Sequence, residues 1–397
     1  MGGLRYVLWI LPAILVAIGT VGFTARRGAL ESWLRARPLL DAVQAELEAR
    51  VTERDALWGE TQEGLAFYHY AAAVQQAEIL DSRGGAEWRR ELAEALSGEE
   101  GAIEAAAALV DDEGVRRCLG ALHDGAHSCD AALEIDWSQI GAPLPSFQAA
   151  LTVERLAFVD ACARLSAGDD VGAVRGLLDA LQLGADLAEA PLATCDLLGS
   201  SILGAGRVEQ LLTVRGFDHL APEARTMLLE GLVRLDERVT IEGASTKGEF
   251  VLLARTIEAE LDAAEKRPFA QCDASRSELS DFIRLRARQL QQVDWAIDES
   301  PSAGLVAVEA NAEANGSSPS HLLREVSAST DAALALRLEH LCRMRAALAG
   351  LVALDKGWQR QVRDPFGNAF DVRVSDWGVT VRGVDDESID EQIVLMR

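Results

Sequence analysis

Apolar positions along most of the chain recur at three- and four-residue intervals, the period of a helix with one buried face. Ala29 to Trp58 reads as a long helix, interrupted or restarted at Pro38, a residue suited to a first helical turn. Leu40, Val43, Leu47 and Val51 share its apolar face, and Glu46 stands four residues before Arg50 on an exposed one. Such a helix serves either as a stalk or as the first helix of the domain. Gly64 to Leu80 is a second helix carrying Phe67, Tyr68 and Tyr70, and Ser82-Arg83-Gly84-Gly85 ends it. Shorter helices are expected at Ala86 to Leu96 and Gly101 to Val110. Val115 to Leu133 is a helix weakened by Gly120 and Gly125, and Ser138 to Ser146 is a loop.

The most regular stretch is Leu151 to Val239. Leu156, Val159 and Ala163 mark one helical face, Gly168 supplies a stop, and Asp169 or Asp170 caps a helix with Val171, Val174, Leu178 and Leu181 on one side. That is a helical hairpin. Pro191 opens the next helix, Gly216 closes it, and Leu220-Ala221-Pro222-Glu223 starts another. Gly199, Gly204 and Gly206 on the third helix allow close backbone approach. Helices follow at Thr240 to Glu265 and Ala274 to Glu299, then a small-residue polar stretch from 299 to 320 reads as flexible, and a last long helix spans His321 to Leu354. Beyond it the period changes to two: Phe370, Val372 and Val374, then Val379 and Val381, flank Asp376-Trp377-Gly378 as in a hairpin.

The expected fold is therefore all-α, an array of antiparallel helical hairpins, solenoid-like or an irregular bundle, with a small C-terminal β-hairpin. The parts are residues 1–27 as a transmembrane anchor, 28–59 as stalk or first helix, 60–355 as the helical domain and 356–397 as the hairpin segment. The anchor rests on Tyr6 to Ala25, an uncharged apolar run that nearly matches a hydrocarbon layer of ~30 Å. A cleaved leader fits less well, because Thr20-Val21-Gly22 is a poor cleavage site and Arg26-Arg27 follow at once. Residues 6–25 thus make the lipid bilayer one partner. Arg26, Arg27, Arg35 and Arg37 after the run, against Arg5 before it, favour a cytoplasmic domain by the positive-inside rule.

Composition agrees with helices: apolar residues are 49% of the chain and aromatics 5%, so Ala, Leu and Val must fill the core. The net charge of −25 excludes nucleic acid as a partner, since it repels phosphate backbones. Lysine occurs only at 247, 266 and 356. The six cysteines (Cys118, Cys129, Cys162, Cys195, Cys272, Cys342) suit either disulfides in an oxidising compartment or buried free thiols.

Arg155 to Leu187, with its Leu165-Ser166-Ala167-Gly168-Asp169 turn followed by Ala173 and Leu177-Leu178, resembles the helix-turn-helix of tetratricopeptide-like repeats. From about residue 60 to 397 the chain looks like a set of uncharacterised bacterial proteins with an N-terminal anchor and such a helical body. Asp364-Pro365-Phe366-Gly367-Asn368-Ala369-Phe370 and the hairpin after it resemble the C-terminal β segment of type II secretion pseudopilins. The calcium loop of that family has only Asp385 and Asp386 as counterparts here, too few oxygens for a cation that takes about six or more. Gly22-Phe23-Thr24 follows the apolar run, whereas a pilin leader places that motif before it. The resemblance implies an extracytoplasmic, periplasmic-facing protein of the cell envelope whose further partner is another envelope protein.

Chemistry has one candidate cluster, Cys118, His123, His127 and Cys129. The histidines are four apart, on one face of a helix, and the flanking thiols complete a possible tetrahedral zinc set, although the spacing matches no standard zinc motif. His69, inside Phe67-Tyr68-His69-Tyr70, reads as part of a core patch, His340 beside Cys342 lacks an orienting base, and Ser320 before His321 reads as a helix cap. No G-x-x-x-x-G-K-[ST], G-x-S-x-G, H-E-x-x-H or C-x-x-C occurs, so the sequence points to no cofactor and no enzyme class. The function expected is a membrane-anchored helical scaffold. The alternatives are a metal-binding protein or enzyme using the cluster at 118–129, and a pilin-like secretion subunit.

Overall fold

The computed structural model describes residues 27–96, 102–135, 137, 147–239, 244–265, 273–316, 321–355, 357–358, 360–383 and 393–397. The apolar run at 6–25, the 138–146 loop, Cys272, and Asp385 with Asp386 lie outside these. The described chain is mostly helical and ends in a small antiparallel sheet.

A helix over residues 27–48 (α1) opens the fold and runs unbroken through Pro38. Its Trp33, Ala36 and Leu40 are buried against Phe250, Val251, Phe282 and Ile283, packing that offsets the hydrogen bond a mid-helix proline forfeits. It stops at residue 48 rather than continuing to Trp58. Beyond it the backbone turns outward for partners: Arg54 N–H donates to the Cys129 carbonyl at 2.7 Å, and Ala131 N–H to the Thr52 carbonyl at 3.0 Å. Two short strands follow from this, β1 (Gln62–Leu65) and β2 (Ser128–Asp130), paired in parallel.

α2 (Ala66–Leu96) breaks at Gly85, whose φ of 57° and ψ of −136° are not helical, as the Gly84-Gly85 pair leads one to expect. α3 (Ala102–Val110) and α4 (Glu113–Ala126) follow, the latter capped by Asp112, whose carboxylate accepts from the N–H groups of Gly114 and Val115. The hairpin of α5 (Ala150–Ser166) and α6 (Asp170–Glu189) turns as its sequence dictates: Gly168 has φ 82°, and the Asp169 side chain accepts from Gly172 N–H. The helix expected after Pro191 is two, α7 (Ala193–Leu203) and α8 (Arg207–Val214), parted at Gly206 with φ 66°. Gly199 admits α6 closely, since a Cβ there would stand 2.3 Å from Ala188 N.

α9 (Pro222–Arg238), α10 (Ala244–Glu265) and α11 (Asp273–Glu299) come next. The stretch read as flexible from 299 is helical over Pro301–Gly316 (α12). Its alanines carry helix propensity, and Val308 and Asn315 are buried, the latter paired with Gln289 of α11. α13 (His321–Leu354) then backs the terminal sheet. That sheet has one strand more than the expected hairpin: β3 (Asp371–Val374), β4 (Gly378–Arg382) and β5 (Ile393–Met396) in the order β3-β4-β5. Val379, Val381, Ile393 and Leu395 are buried in one core with Leu348 and Leu351 of α13.

α6 is the centre. Every residue from Leu177 to Ala188 is buried. Leu178, Leu181 and Ala185 belong to a core shared with α9, α13 and the sheet, whereas Ala180, Leu183 and Leu187 belong to another shared with α2, α4 and α5. Among the described residues no helix is long and apolar enough to cross a membrane.

Candidate functional site

A helix apolar on every side has no evident place for acid, yet α6 carries Asp179, Gln182, Asp186 and Glu189 at spacings of three and four, one continuous stripe. Segment 50–58 lies along that stripe in the opposite direction: Arg50 meets Glu189, Arg54 meets Asp186 and Trp58 meets Asp179.

The middle contact is the most buried, with Asp186 at 0% and Arg54 at 5% side-chain exposure. Asp186 Oδ2 accepts from Arg54 Nη2 and from the Tyr70 hydroxyl, both at 2.6 Å. Oδ1 accepts from Arg54 Nε and Gln182 Nε2, both at 3.1 Å, and from Arg238. Burial pushes the Asp186 carboxyl up, but the Arg238 and Arg54 charges win and hold it below the usual range. The same burial, with Asp186 alongside, raises the Tyr70 hydroxyl well above its ordinary value, so Tyr70 stays a donor. Arg54 also donates to the carbonyls of Gly125 and Ala126 at 2.9 and 2.8 Å, capping the C-terminus of α4.

At that C-terminus stand the two histidines, His123 in the last turn of α4 and His127 as its C-cap. His123 Nδ1 is 3.0 Å from Asp179 Oδ2, and the two imidazole centroids are 4.3 Å apart. His127 Nδ1 is 2.9 Å from the Glu60 carbonyl, which only accepts, so that nitrogen carries the proton. In the neutral ring His127 Nε2 is then a bare lone pair. It is buried, has no hydrogen-bond partner, and stands 3.5 Å from Asp179 Oδ1, an oxygen already accepting from Trp58 Nε1–H at 2.7 Å. In that form two electron-rich atoms face each other, and a proton or a metal cation between them removes the opposition. Gly59, at φ 67°, makes the turn that aims both the Trp58 indole and the Glu60 carbonyl at this point.

Ligand atoms of His123, His127 and Asp179 all lie within 4.8 Å of one another. Tetrahedral zinc at ~2.0–2.1 Å from its ligands holds them roughly 3.3 Å apart. Here His123 Nδ1 stands 3.0 Å from Asp179 Oδ2 and His127 Nε2 3.5 Å from Asp179 Oδ1, so the two rings face different oxygens of one carboxylate and an ion taking one atom from each residue requires a side-chain adjustment. The Nδ1–H of His127 on a carbonyl, and the indole on the carboxylate, are the outer contacts that orient metal ligands. Three candidate ligands with no fourth among the described residues would leave a coordination position open, and His123, with 44% of its side chain exposed, marks the open side. There a cleft of about 530 Å³ is lined by Trp58, Leu119, His123, Arg175 and Asp179, among others. Without an ion, the hydrogen bond that His123 donates to the Asp179 carboxylate, against partial burial, raises the His123 pKa and favours the ion pair.

The structure brings together His123 and His127 of the expected cluster, and neither cysteine. Cys118 points into the core, its Sγ 3.4 Å from the Ala73 carbonyl, and burial pushes its thiol up to about 12. It is therefore an apolar core residue, not a thiolate ligand. Cys129 sits on β2, outside the group of three ligand residues. Cys118, Cys129, Cys162 and Cys195 are free thiols. Of the aromatic patch, Phe67 and Tyr70 are core and Tyr68 is exposed. Asp179 is the candidate ligand that spacing could not supply, lying 56 residues from His123. Its signal was an acid in an otherwise apolar helix.

No protein-family model, curated protein or solved structure matches the chain.

Two outcomes follow from these contacts. Asp186→Asn leaves two guanidinium groups facing a neutral amide and is expected to cost ~3–5 kcal/mol in urea unfolding, against ~1.5 kcal/mol for Tyr70→Phe. In the metal-free protein, NMR titration should place His123 above its ordinary ~6.5, with Asp179→Asn bringing it back down. Because the folded value is raised, the ion pair's stabilisation is full below ~6.5 and disappears as pH rises through the folded value.

Proposed function

We propose that the protein binds one divalent transition-metal ion, of the zinc class, through His123, His127 and Asp179, and presents it to the cleft beside α4 and α6. The observation that carries this reading is His127 Nε2: buried, without a hydrogen-bond partner and 3.5 Å from a carboxylate oxygen, in a ring whose Nδ1 stands on the Glu60 carbonyl. A cation between them relieves the opposition and completes both groups. Three protein ligands and an open position are the pattern of catalytic rather than structural zinc, so an ion held here would polarise an oxygen of a bound ligand. Neither Cys118 nor Cys129 takes part.

Purified protein should hold about one zinc per chain by mass spectrometry of metals. His127→Ala and Asp179→Ala should abolish it, His123→Ala should weaken it at least ~10-fold, and Cys118→Ala and Cys129→Ala should leave it unchanged. Less than a tenth of an equivalent after loading with zinc, or retention in His127→Ala, removes the reading.

A second reading concerns the site's setting. The uncharged run at 6–25 tethers the helical body to a bilayer, and Leu30 and Leu34, one turn apart at the start of α1 and 51% and 61% exposed, continue its apolar character. The body itself is better taken as an irregular bundle than a solenoid, because α6 meets α4 and α9 as well as its chain neighbours. The full chain should sediment with membranes through alkaline carbonate and be released by detergent or by deleting residues 1–26. A full chain found in the soluble fraction would end this idea.

A further inference from the structure

The cleft outside the metal residues is lined by charges of both signs, and their pairing decides what it takes. Its carboxylates are engaged: Asp160 and Asp169 accept from Arg164 at 2.7 and 3.2 Å, and Asp179 accepts from Trp58 beside the histidines. Its other cations are not. Arg175 and Arg116 have no carboxylate partner among the described residues, and the bond that Arg116 makes is to a backbone carbonyl, that of Asp111. Each therefore keeps guanidinium N–H groups for a ligand at this cleft, in a chain whose net charge of −25 otherwise repels anions.

Arg175 is also held in place. Its guanidinium carbon lies 4.8 Å from the centre of the Trp58 ring, and that indole is itself fixed by its bond to Asp179. Stacking uses the face of a guanidinium and leaves its in-plane N–H groups for a planar or tetrahedral oxyanion. Val110, Leu119, Leu122 and Ala157 supply apolar wall, and about 530 Å³ is room for a small organic molecule.

We infer that this cleft binds a small organic oxyanion, a phosphate ester or carboxylate with an apolar body, its charged end on Arg175 and Arg116 and one oxygen turned toward the His123, His127 and Asp179 site. The orientation rests on the metal reading; the anion contact rests on the arginines alone. That difference makes the two separable.

The test is calorimetric titration of the full chain, both metal-free and zinc-loaded, with phenylphosphonate, benzoate, inorganic phosphate and benzylamine. Phenylphosphonate or benzoate should bind the zinc-loaded protein at least ~10-fold more tightly than inorganic phosphate, because the walls contribute, and benzylamine should not bind. Arg175→Gln, at an exposed position, should weaken the organic anion at least ~10-fold while zinc content stays at that of the parent protein. If zinc fails to load but Arg175-dependent anion binding persists in the metal-free form, the metal reading falls and this one stands. No anion binding in either form, equal binding by Arg175→Gln, or preference for benzylamine overturns it.

Discussion

The fold hangs on acid buried in the middle of its most apolar helix. Asp186 has no exposed side-chain surface, and an isolated carboxylate in that position would be untenable or protonated. Arg54, Arg238, Gln182 and Tyr70 between them satisfy both oxygens, so the carboxylate remains charged and the surrounding elements are fixed at hydrogen-bond precision. Those partners come from segment 50–58, α2, α6 and α9. A hydrophobic contact between the same elements would tolerate sliding; this one does not, because a shift of an ångström or two strands a charge out of water.

Its neighbours extend the constraint in both directions along α6. Glu189 takes Arg50 and Arg337, and Arg337 also reaches the Ala188 carbonyl and Asp196, so α13 and α7 are tied to the same helix end. Toward the other end, Arg54 grips the last carbonyls of α4, and Tyr70 lies against Gly125, where a Cβ would be 2.4 Å from its ring. Gly125 is the residue that weakens α4 as an isolated helix. Here it is what lets α2 and α4 approach closely enough for Tyr70 to reach Asp186. The histidines at the end of α4 are thereby set over Asp179, two stripe positions along.

Local signals survived the passage from sequence to structure, and long-range ones did not. Gly168 with Asp169, Gly85, the period-two run near residue 372 and the four-residue spacing of His123 and His127 are each decided within a few residues, and each appears where the pattern puts it. The end of α1 was not legible, because its apolar spacing continues to Val51 while the backbone beyond residue 48 is claimed by β2, almost eighty residues away. Polarity misread residues 301–316 for a related reason: the buried Gln289–Asn315 pair hides polar groups within a helical contact. Cys118 misled in the opposite sense, since proximity to two histidines in sequence says nothing of a thiol packed on the far side of the helix.

The candidate site is the part of the molecule where these constraints converge, and that bears on what it can do. His127 is stitched to segment 60–62 twice, by its ring on the Glu60 carbonyl and by its own carbonyl accepting from Gln62 N–H at 2.7 Å. Trp58 fixes Asp179, and Gly59 turns the chain between them. Such rigidity is unnecessary for a histidine–aspartate ion pair on a surface, which is worth little and forms readily from mobile side chains. It is what holding a ligand atom within a few tenths of an ångström requires, and it is purchased by the buried charges next door. The stripe on α6 is therefore both the scaffold's most demanding contact and the frame that fixes His123, His127 and Asp179 relative to one another.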